Sequence, residues 1–554
     1  MRRSLFAAGA AVAAVWLYAE PAAPTEAAAL TGVVRSAEEG PMEGVLISAK
    51  KTGSTVTTTV ATDATGRYRF PRNRLEPGAY TLRIRAVGYE LEGPGTVELS
   101  PNQPATADLN LRKAKNLAAQ LTNAEWLMSM QASDEQKASL LNCIQCHTLQ
   151  FIVNSHHDAG EFLKVVDRMG NYANQAFPLH PQKRLADRVM DLHGEAREEG
   201  RRRQAEFLST INLSSQATWA YTLRTLPRPT GRGTRVIITE YDLPRRTIEP
   251  HDAIVDAQGM VWYSNFGEEN IGRLDPRSGK VTEYPSPELK HGSPVGALSM
   301  RFDADQNLWL GMMFQGGIAK FDRKTEKFQT WSVPAEFNKD MTQINMATPE
   351  RSSVDGKVWT QNNGFAIIHR LDLASGQFET FQPFQSAKEG DTHNIYDVIP
   401  DSHNNAYFTD FSRENIGRVD AKTGKISIWK TPTPHSAPRR GQMDAQDRLW
   451  FGEYRGNRIG MFDTRTEQFQ EWEAPTPWSA PYDVELDKNG DAWTGSMAND
   501  RVLRLNPKTG QMTEYLLPRS TNIRRVFVDN STTPPTFWVG NNHGASIVKV
   551  EPLD

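Results

Sequence analysis

Between Arg235 and Asp554 the chain repeats itself, and a repeat of this length leaves few folds open. Four copies are clear: "DAQGMVWYSNFGEENIGRLDPRSGKVTEY", "DADQNLWLGMMFQGGIAKFDRKTEKFQTW", "DAQDRLWFGEYRGNRIGMFDTRTEQFQEW" and "DKNGDAWTGSMANDRVLRLNPKTGQMTEY". Their key aromatics are Trp262, Trp309, Trp450 and Trp493. Trp359, Tyr407 and Trp538 mark three weaker copies, so that seven units follow one another at spacings of 43 to 50 residues. Each unit holds three short strands separated by turns such as "RSG", "KTG" and "DAQG", with a fourth strand in the connecting segment. This spacing predicts a radially closed seven-bladed β-propeller over residues 235–554. The last copy ends at "SIVKVEPLD" without an outer "TEY" strand, while "VIITEYDLP" (Val236 to Pro244) stands unclaimed before the first. Pairing the two would close the ring and cover a bare sheet edge.

The whole chain is too long for one ordinary domain, so two to four folding units are expected, and a hydrophobic content of 38% is enough to build their cores. A net charge of only −3 argues against nucleic-acid binding. The N-terminus has Arg2 and Arg3, then an apolar run from Leu5 to about Ala19, then small residues including Ala27 and Ala29. Residues 1–29 therefore read as a signal peptide for a periplasmic or otherwise exported protein. The alternative is a short membrane anchor, but the run is shorter than the roughly 20 residues a spanning helix needs, and no integral membrane segment is expected after cleavage.

Residues 30–113 read as β. In "YTLRIRA", Tyr80, Leu82, Ile84 and Ala86 alternate with Thr81, Arg83 and Arg85, as in a half-buried strand. Turns fall at "TDATGRYRF", "EPGAY" and "VGYE". This segment resembles the carboxypeptidase regulatory-like domain, a small prealbumin-like β-sandwich. The resemblance implies a non-catalytic adhesion or carbohydrate-contact module; a small-molecule or glycan ligand is a candidate partner of the chain.

Over residues 116–214 the period becomes helical. Ser133 and Gln136 in "SDEQ" form a capping-box pattern, and "EAREEGRRRQ" (Glu195 to Gln204) reads as a solvated helix face. Residues 215–234, including "WAYTLRTLPRPTGRGT", read as an exposed linker because Pro227, Pro229, Gly231 and Gly233 break any helix.

Both cysteines of the chain lie in "LNCIQCHTL". Cys143, Cys146 and the adjacent His147 have the spacing for covalent haem c, with two thiols for the vinyl groups and a histidine for the proximal side of the iron. A structural zinc would need four ligands, and no other cysteine exists. A thioredoxin-like pair belongs at a βα junction, and a disulfide over two residues is sterically awkward. The region resembles class-I-like cytochrome c domains. Met169, which shares a helical face with Phe162, Val165 and Val166, is the candidate distal ligand or an ordinary core methionine. His156, His157, His180, His193 and Met190 are its rivals.

The repeat cores "LWFGEYRGNRIGMF" and "VWYSNFGEENIGRL" resemble streptogramin (virginiamycin B) lyase. That resemblance implies a Glu-Pro-His segment, matched by Glu249, Pro250 and His251, with the histidine in proton transfer. It also implies a magnesium-site glutamate three residues past the tryptophan, where this chain has Asn265. Loss of that charge weakens a magnesium site. Carboxylates at the same offset occur in other units as Asp410 and Glu453. Upstream of the key aromatics, His251, Tyr396, Arg439, Tyr482 and Arg524 take matching places, and downstream come Asn265, Asn362, Asp410, Glu453 and Asn541. These positions would converge on one propeller mouth, with Arg439 and Arg524 suited to an anionic group, or merely solvate the ends of the blades.

Together these segments describe a mainly β protein with a sandwich, a small α-helical cytochrome c-like domain and a propeller. Two functions follow. The first is electron transfer through haem c to a redox partner protein or small electron carrier, with the propeller binding or docking. The second is a lyase-like propeller, using Mg2+, or a purely binding one, with the haem accessory.

Overall fold

The computed structural model describes residues 27–93, 95–170, 172–173, 177–178, 180–182, 195–388 and 391–554. The charged and apolar parts of the signal segment, Met190 and His193 lie outside the described residues. No helix among the described residues is long and apolar enough to cross a membrane.

The sandwich begins at Ala28 rather than residue 30, because Ala28–Ser36 is already its first strand and Ala29 is buried. One of its sheets pairs this strand with Leu109–Lys113, Gly40–Pro41 and Arg67–Pro71. The other runs through Val56–Ala61, Leu46–Lys51, Gly78–Arg85 and Thr96–Leu99. Leu30, Val34, Ile47, Phe70, Tyr80, Leu82 and Leu111 fill the space between them. In "YTLRIRA" the apolar set does face inward, with Thr81 and Arg83 exposed.

From Val236 onward, antiparallel sheets succeed one another in a propeller-like arrangement. Innermost strands touch in sequence, Ile395–Pro400 with Pro438–Met443, then Glu485–Leu486, then Ile523–Asp529, and the last touches Pro250–Val255 of the first. The recurrent aspartate six residues before the tryptophan explains much of the repeat. Asp256 accepts hydrogen bonds from the backbone of Gln258 and Met260 at 2.9 and 3.0 Å, which closes the turn, and from Trp262 Nε1 at 2.8 Å, which fixes the ring. Asp303–Trp309, Asp444–Trp450 and Asp487–Trp493 repeat the bond at 3.0 Å.

The strand Val236–Asp242 pairs antiparallel with Ser546–Pro552, matching Val236 to Pro552 and Asp242 to Ser546, and so closes the last sheet. Its other edge is not free. It pairs with Val56–Ala61 of the sandwich, giving one eight-stranded sheet across both domains. Side-chain alternation then divides the strand between two cores: Ile237 enters the sandwich, and Val236 and Ile238 enter the last propeller sheet. Arg85 adds an ion pair to Asp500 at 2.6 Å and bonds to the carbonyls of Leu517 and Arg519.

The helical module comprises α1 (Asn123–Ser129), α2 (Asp134–Leu140), α3 (Gln150–Val153), α4 (Ala159–Met169) and α5 (Glu195–Thr210). Ser133 and Gln136 cap α2 reciprocally, and the pairs Thr122–Glu125 and Asp158–Glu161 do the same for α1 and α4. Glu198, Glu199, Arg202 and Arg203 of α5 face solvent.

The linker is exposed over much of its length, as its prolines suggest, but it is pinned at several points to the neighbouring modules. Trp219 packs 5.0 Å from Trp126 and donates to the carbonyl of Val153, and Tyr221 is buried. The amides of Arg224 and Leu226 donate to Ser129 and Glu125, and Arg228 reaches the carbonyl of Glu43 in the sandwich. Irregular backbone still needs hydrogen-bond partners, and helical-module side chains supply them here.

Candidate functional site: the propeller mouth and its helical cap

The innermost strands carry irregularities of register between Pro250 and Ala253, Ile395 and Val398, Pro438 and Gly441, and Ile523 and Val526. A bulge re-aims side chains, so two consecutive residues interact across the ring at each place. The first of each pair forms an upper layer and the second a layer of charge beneath it.

In the upper layer His251, Tyr396, Arg439, Tyr482 and Arg524 come together, each at most 4% exposed. His251 Nε2 lies 2.9 Å from the Tyr482 hydroxyl, which contacts the Tyr396 hydroxyl. His251 Nδ1 lies 2.7 Å from Asp252. With Asp252 ionised, Nδ1–H donates to it and Nε2 accepts from Tyr482. Burial drives the His251 pKa down to about 3, against the opposing pull of Asp252, so the ring is neutral. Arg439 is caged by rings, with its guanidinium 4.0 Å from the centre of Tyr482, 4.4 Å from Phe411, 4.6 Å from Tyr454 and 4.7 Å from Tyr396. It is therefore engaged with aromatic faces and not presented to an incoming anion, which corrects the role expected from sequence.

The lower layer alternates in sign. Arg440 donates to Asp252 at 2.8 and 3.2 Å, Arg525 donates to Glu485 at 2.6 Å and approaches Asp252 at 3.4 Å, and Arg301 faces Asp397. Asp252 is held far below the ordinary carboxylate range by Arg440, which overcomes the cost of burial. These residues were missed in the sequence although their signal was present: Asp252, Asp397, Arg440, Asp483 and Arg525 each directly follow an upper-layer residue.

The residues three past the key aromatic do another job. Asn265, Asp410 and Asn362 accept from the backbone amides of Glu249, Asn394 and Gln343, and Asn541 donates to the carbonyl of Ser520. They fasten each sheet end to the loop that enters it. Asp410 also bonds His393 at 2.7 Å and Asn415 at 2.9 Å. Glu249 is wholly buried with both carboxylate oxygens unpartnered, and burial raises its pKa well above the usual range. The uncharged Asn265, engaged with the Glu249 amide, is a poor donor for magnesium, which favours charged oxygen donors. Among the described residues no cluster of three or more His, Cys, Asp or Glu side chains could hold a metal ion.

Glu453 is buried in the same way, with both oxygens unpartnered. Burial first, and the Glu471 carboxylate second, push its pKa up to about 9 from an ordinary 4.5. A folded-state pKa above the unfolded one gives stability that is complete below pH 4.5 and lost as pH rises toward 9. At about 1.4 kcal/mol per unit, Glu453→Gln should stabilise the fold by roughly 3 kcal/mol at pH 7 and by almost nothing at pH 4.5. Urea midpoints of both proteins at the two pH values check this, and a gain independent of pH would refute it.

The mouth does not open to solvent, because the helical module lies across it. Tyr454 donates to the carbonyl of Leu141, Asn522 to that of Ile144 at 3.0 Å and Arg524 to that of Gln145, while the amide of Ala124 donates to Ala498. Ile144 and Leu141 share one apolar core with Tyr396, Tyr454, Tyr482 and Met497. The segment thus seated on the mouth is "CIQCH". Cys143 opens a short 3-10 turn, and both cysteines are thiols. Burial and then Cys146 push the Cys143 thiol up to about 12, opposite to what a reactive redox thiol needs. His147 is held neutral by burial, and its Nδ1 lies 2.9 Å from the Thr148 carbonyl. Met169 ends α4, half-buried. His156 bonds the carbonyl of Leu213, His157 lies edge-on to Phe162 and half-exposed, and His180 is exposed.

Residues 389–553 match the sequence profile of the virginiamycin B lyase family, and residues 29–112 match that of the carboxypeptidase regulatory-like domain. No curated protein matches the chain. Among solved structures, a streptogramin B lyase is similar at 21% identity and a TM-score of 0.49, over 58% of this chain and 99% of that one. Virginiamycin B lyase from Staphylococcus aureus is similar at 22% identity and a TM-score of 0.47, over 56% and 98%. A catalytically inactive histidine-to-alanine variant of that enzyme with quinupristin gives 22% and 0.48, again over 56% and 98%.

Proposed function

We propose that this chain is an exported haem c protein for electron transfer, in which a seven-bladed, virginiamycin B lyase-like propeller is the dock for a cytochrome c-like helical module. The observation that carries this reading is the grip of Asn522 and Arg524 on the carbonyls of Ile144 and Gln145, the two residues between the cysteines. The residues fit the group. Cys143 and Cys146 are thiols, and a bond from His147 Nδ1–H to the Thr148 carbonyl leaves Nε2 as a lone-pair donor to iron. When bound, haem c supplies a one-electron couple.

The protein's own residues attach, hold and shield that group. Cys143 and Cys146 would be the attachment points and His147 would ligate the iron, while Asn522 and Arg524 fix the loop. Tyr396, Phe411, Tyr454 and Tyr482 exclude water from the propeller side. The other half of the couple is a redox partner protein or small electron carrier, and the sandwich suits a glycan or small-molecule contact. Export agrees with the N-terminal segment, since haem c attachment takes place outside the cytoplasm.

A second reading, lyase chemistry, is favoured by the family match over 389–553 and by the chain Asp252–His251–Tyr482, which has the parts of a general base and its orienting carboxylate. Against it stand the poor magnesium donors and the helical cap above His251. One experiment separates the two. Expression of the full chain with export and cytochrome c maturation should give a band that keeps haem stain through denaturing electrophoresis. A folded but unstained product, with magnesium-dependent opening of a streptogramin ring that His251→Ala abolishes, would transfer the function to the lyase reading.

A further inference from the structure

Among its described residues the helical module offers weak distal ligands. Met169 sits half-buried at a helix end, and His156, His157 and His180 are turned to solvent or to other partners. The propeller presents a different candidate at the attachment loop. His543 lies in the turn between Thr536–Asn541 and Ser546–Pro552. That turn is anchored beside the residues that hold the loop, because Ile523 pairs with Asn541 and Asn541 Nδ2 donates to the carbonyl of Ser520. Asn522 and Arg524 flank Ile523 and grip Ile144 and Gln145.

Both ring nitrogens of His543 are buried, and apart from an approach to the backbone of Ile144 neither has a hydrogen-bond partner. So are both side-chain polar atoms of the adjacent Asn542, and Arg524 Nη1. Leaving buried polar atoms unpaired costs about 1–3 kcal/mol for each group, so a cluster of them next to one loop calls for a common partner.

Resting on the haem reading above, we propose that the propeller, through His543, supplies the sixth ligand to the iron held by His147, with Arg524 and Asn542 offering donors to the haem carboxylates. The centre would then be bis-histidine, and its formation would require the helical module to be docked. The link between modules would be a coordination bond as well as an apolar interface.

The test uses the full chain, exported and matured with haem. The ferric protein should be low-spin and lack the near-infrared charge-transfer band of methionine ligation. His543→Ala should turn high-spin and recover the low-spin spectrum on addition of imidazole. His543→Met should gain the methionine band and a higher reduction potential, a positive signature that an unfolded variant could not give. Met169→Ala should leave the spectrum unchanged. A low-spin spectrum that survives in His543→Ala, or a methionine band in the parent that Met169→Ala removes, would overturn the assignment while leaving covalent haem intact. A product without covalent haem would overturn this inference together with the reading it rests on.

Discussion

Replacing Ile238 by proline should leave a protein that no longer unfolds as one cooperative unit. Ile238 is fully buried at the centre of Val236–Asp242, a strand paired on both edges, with Val550 on one side and Thr59 on the other. Proline removes a ladder donor where no edge exists to tolerate it. The milder Ile238→Ala keeps the donor and empties part of the last sheet's core, which should cost about 2–5 kcal/mol. Because the same strand joins the sandwich to the propeller, the proline variant should separate their melting transitions as well as lower them. Calorimetry of the two variants and the parent measures this. A proline variant with a single transition at the parental temperature would mean that the ring closes without the strand.

Asp252→Ala should be the most damaging single change at the mouth. Asp252 is completely buried and accepts from Arg440 twice, from the amide of Met300 at 2.9 Å and, more distantly, from Arg525. Removing one member of such a pair strands the other, and an uncompensated buried charge costs about 3–5 kcal/mol. His251 would also lose the acceptor that orients it. Since the folded-state pKa of Asp252 lies below the ordinary value, its contribution is present above about pH 4 and lost as pH falls further. The difference in denaturant midpoint between parent and variant should therefore be large at pH 7 and shrink toward pH 3. A loss that does not change with pH would show that packing, not the charge, is what Asp252 contributes.

Much of the architecture was legible in the residues themselves because it is local and periodic. The six-residue spacing from aspartate to tryptophan builds the turn and orients the ring in four of the sheets. Ser133 and Gln136 cap a helix within four residues of chain, and Val236 to Asp242 could be assigned to the last sheet because that copy visibly lacked a strand. The pairing of Asp252 with Arg440 was not legible, since 188 residues separate them and only the bulged inner strands turn both toward the axis. Arg439 was expected to await an anion, but four rings from four parts of the chain enclose it.

By itself, then, the sequence determined the repeated sheets, the missing strand, the helical caps and the spacing of two cysteines and a histidine. Each of these depends on neighbours a few residues away, where backbone geometry sets what side chains meet. Only the tertiary structure decided that "CIQCH" lies on the propeller mouth, that His543 stands beside it, and that Val236–Asp242 continues into the sandwich. Those contacts depend on which buried surfaces complement each other across hundreds of residues: a carbonyl at Gln145 meets a guanidinium at Arg524 only after both domains have folded and docked.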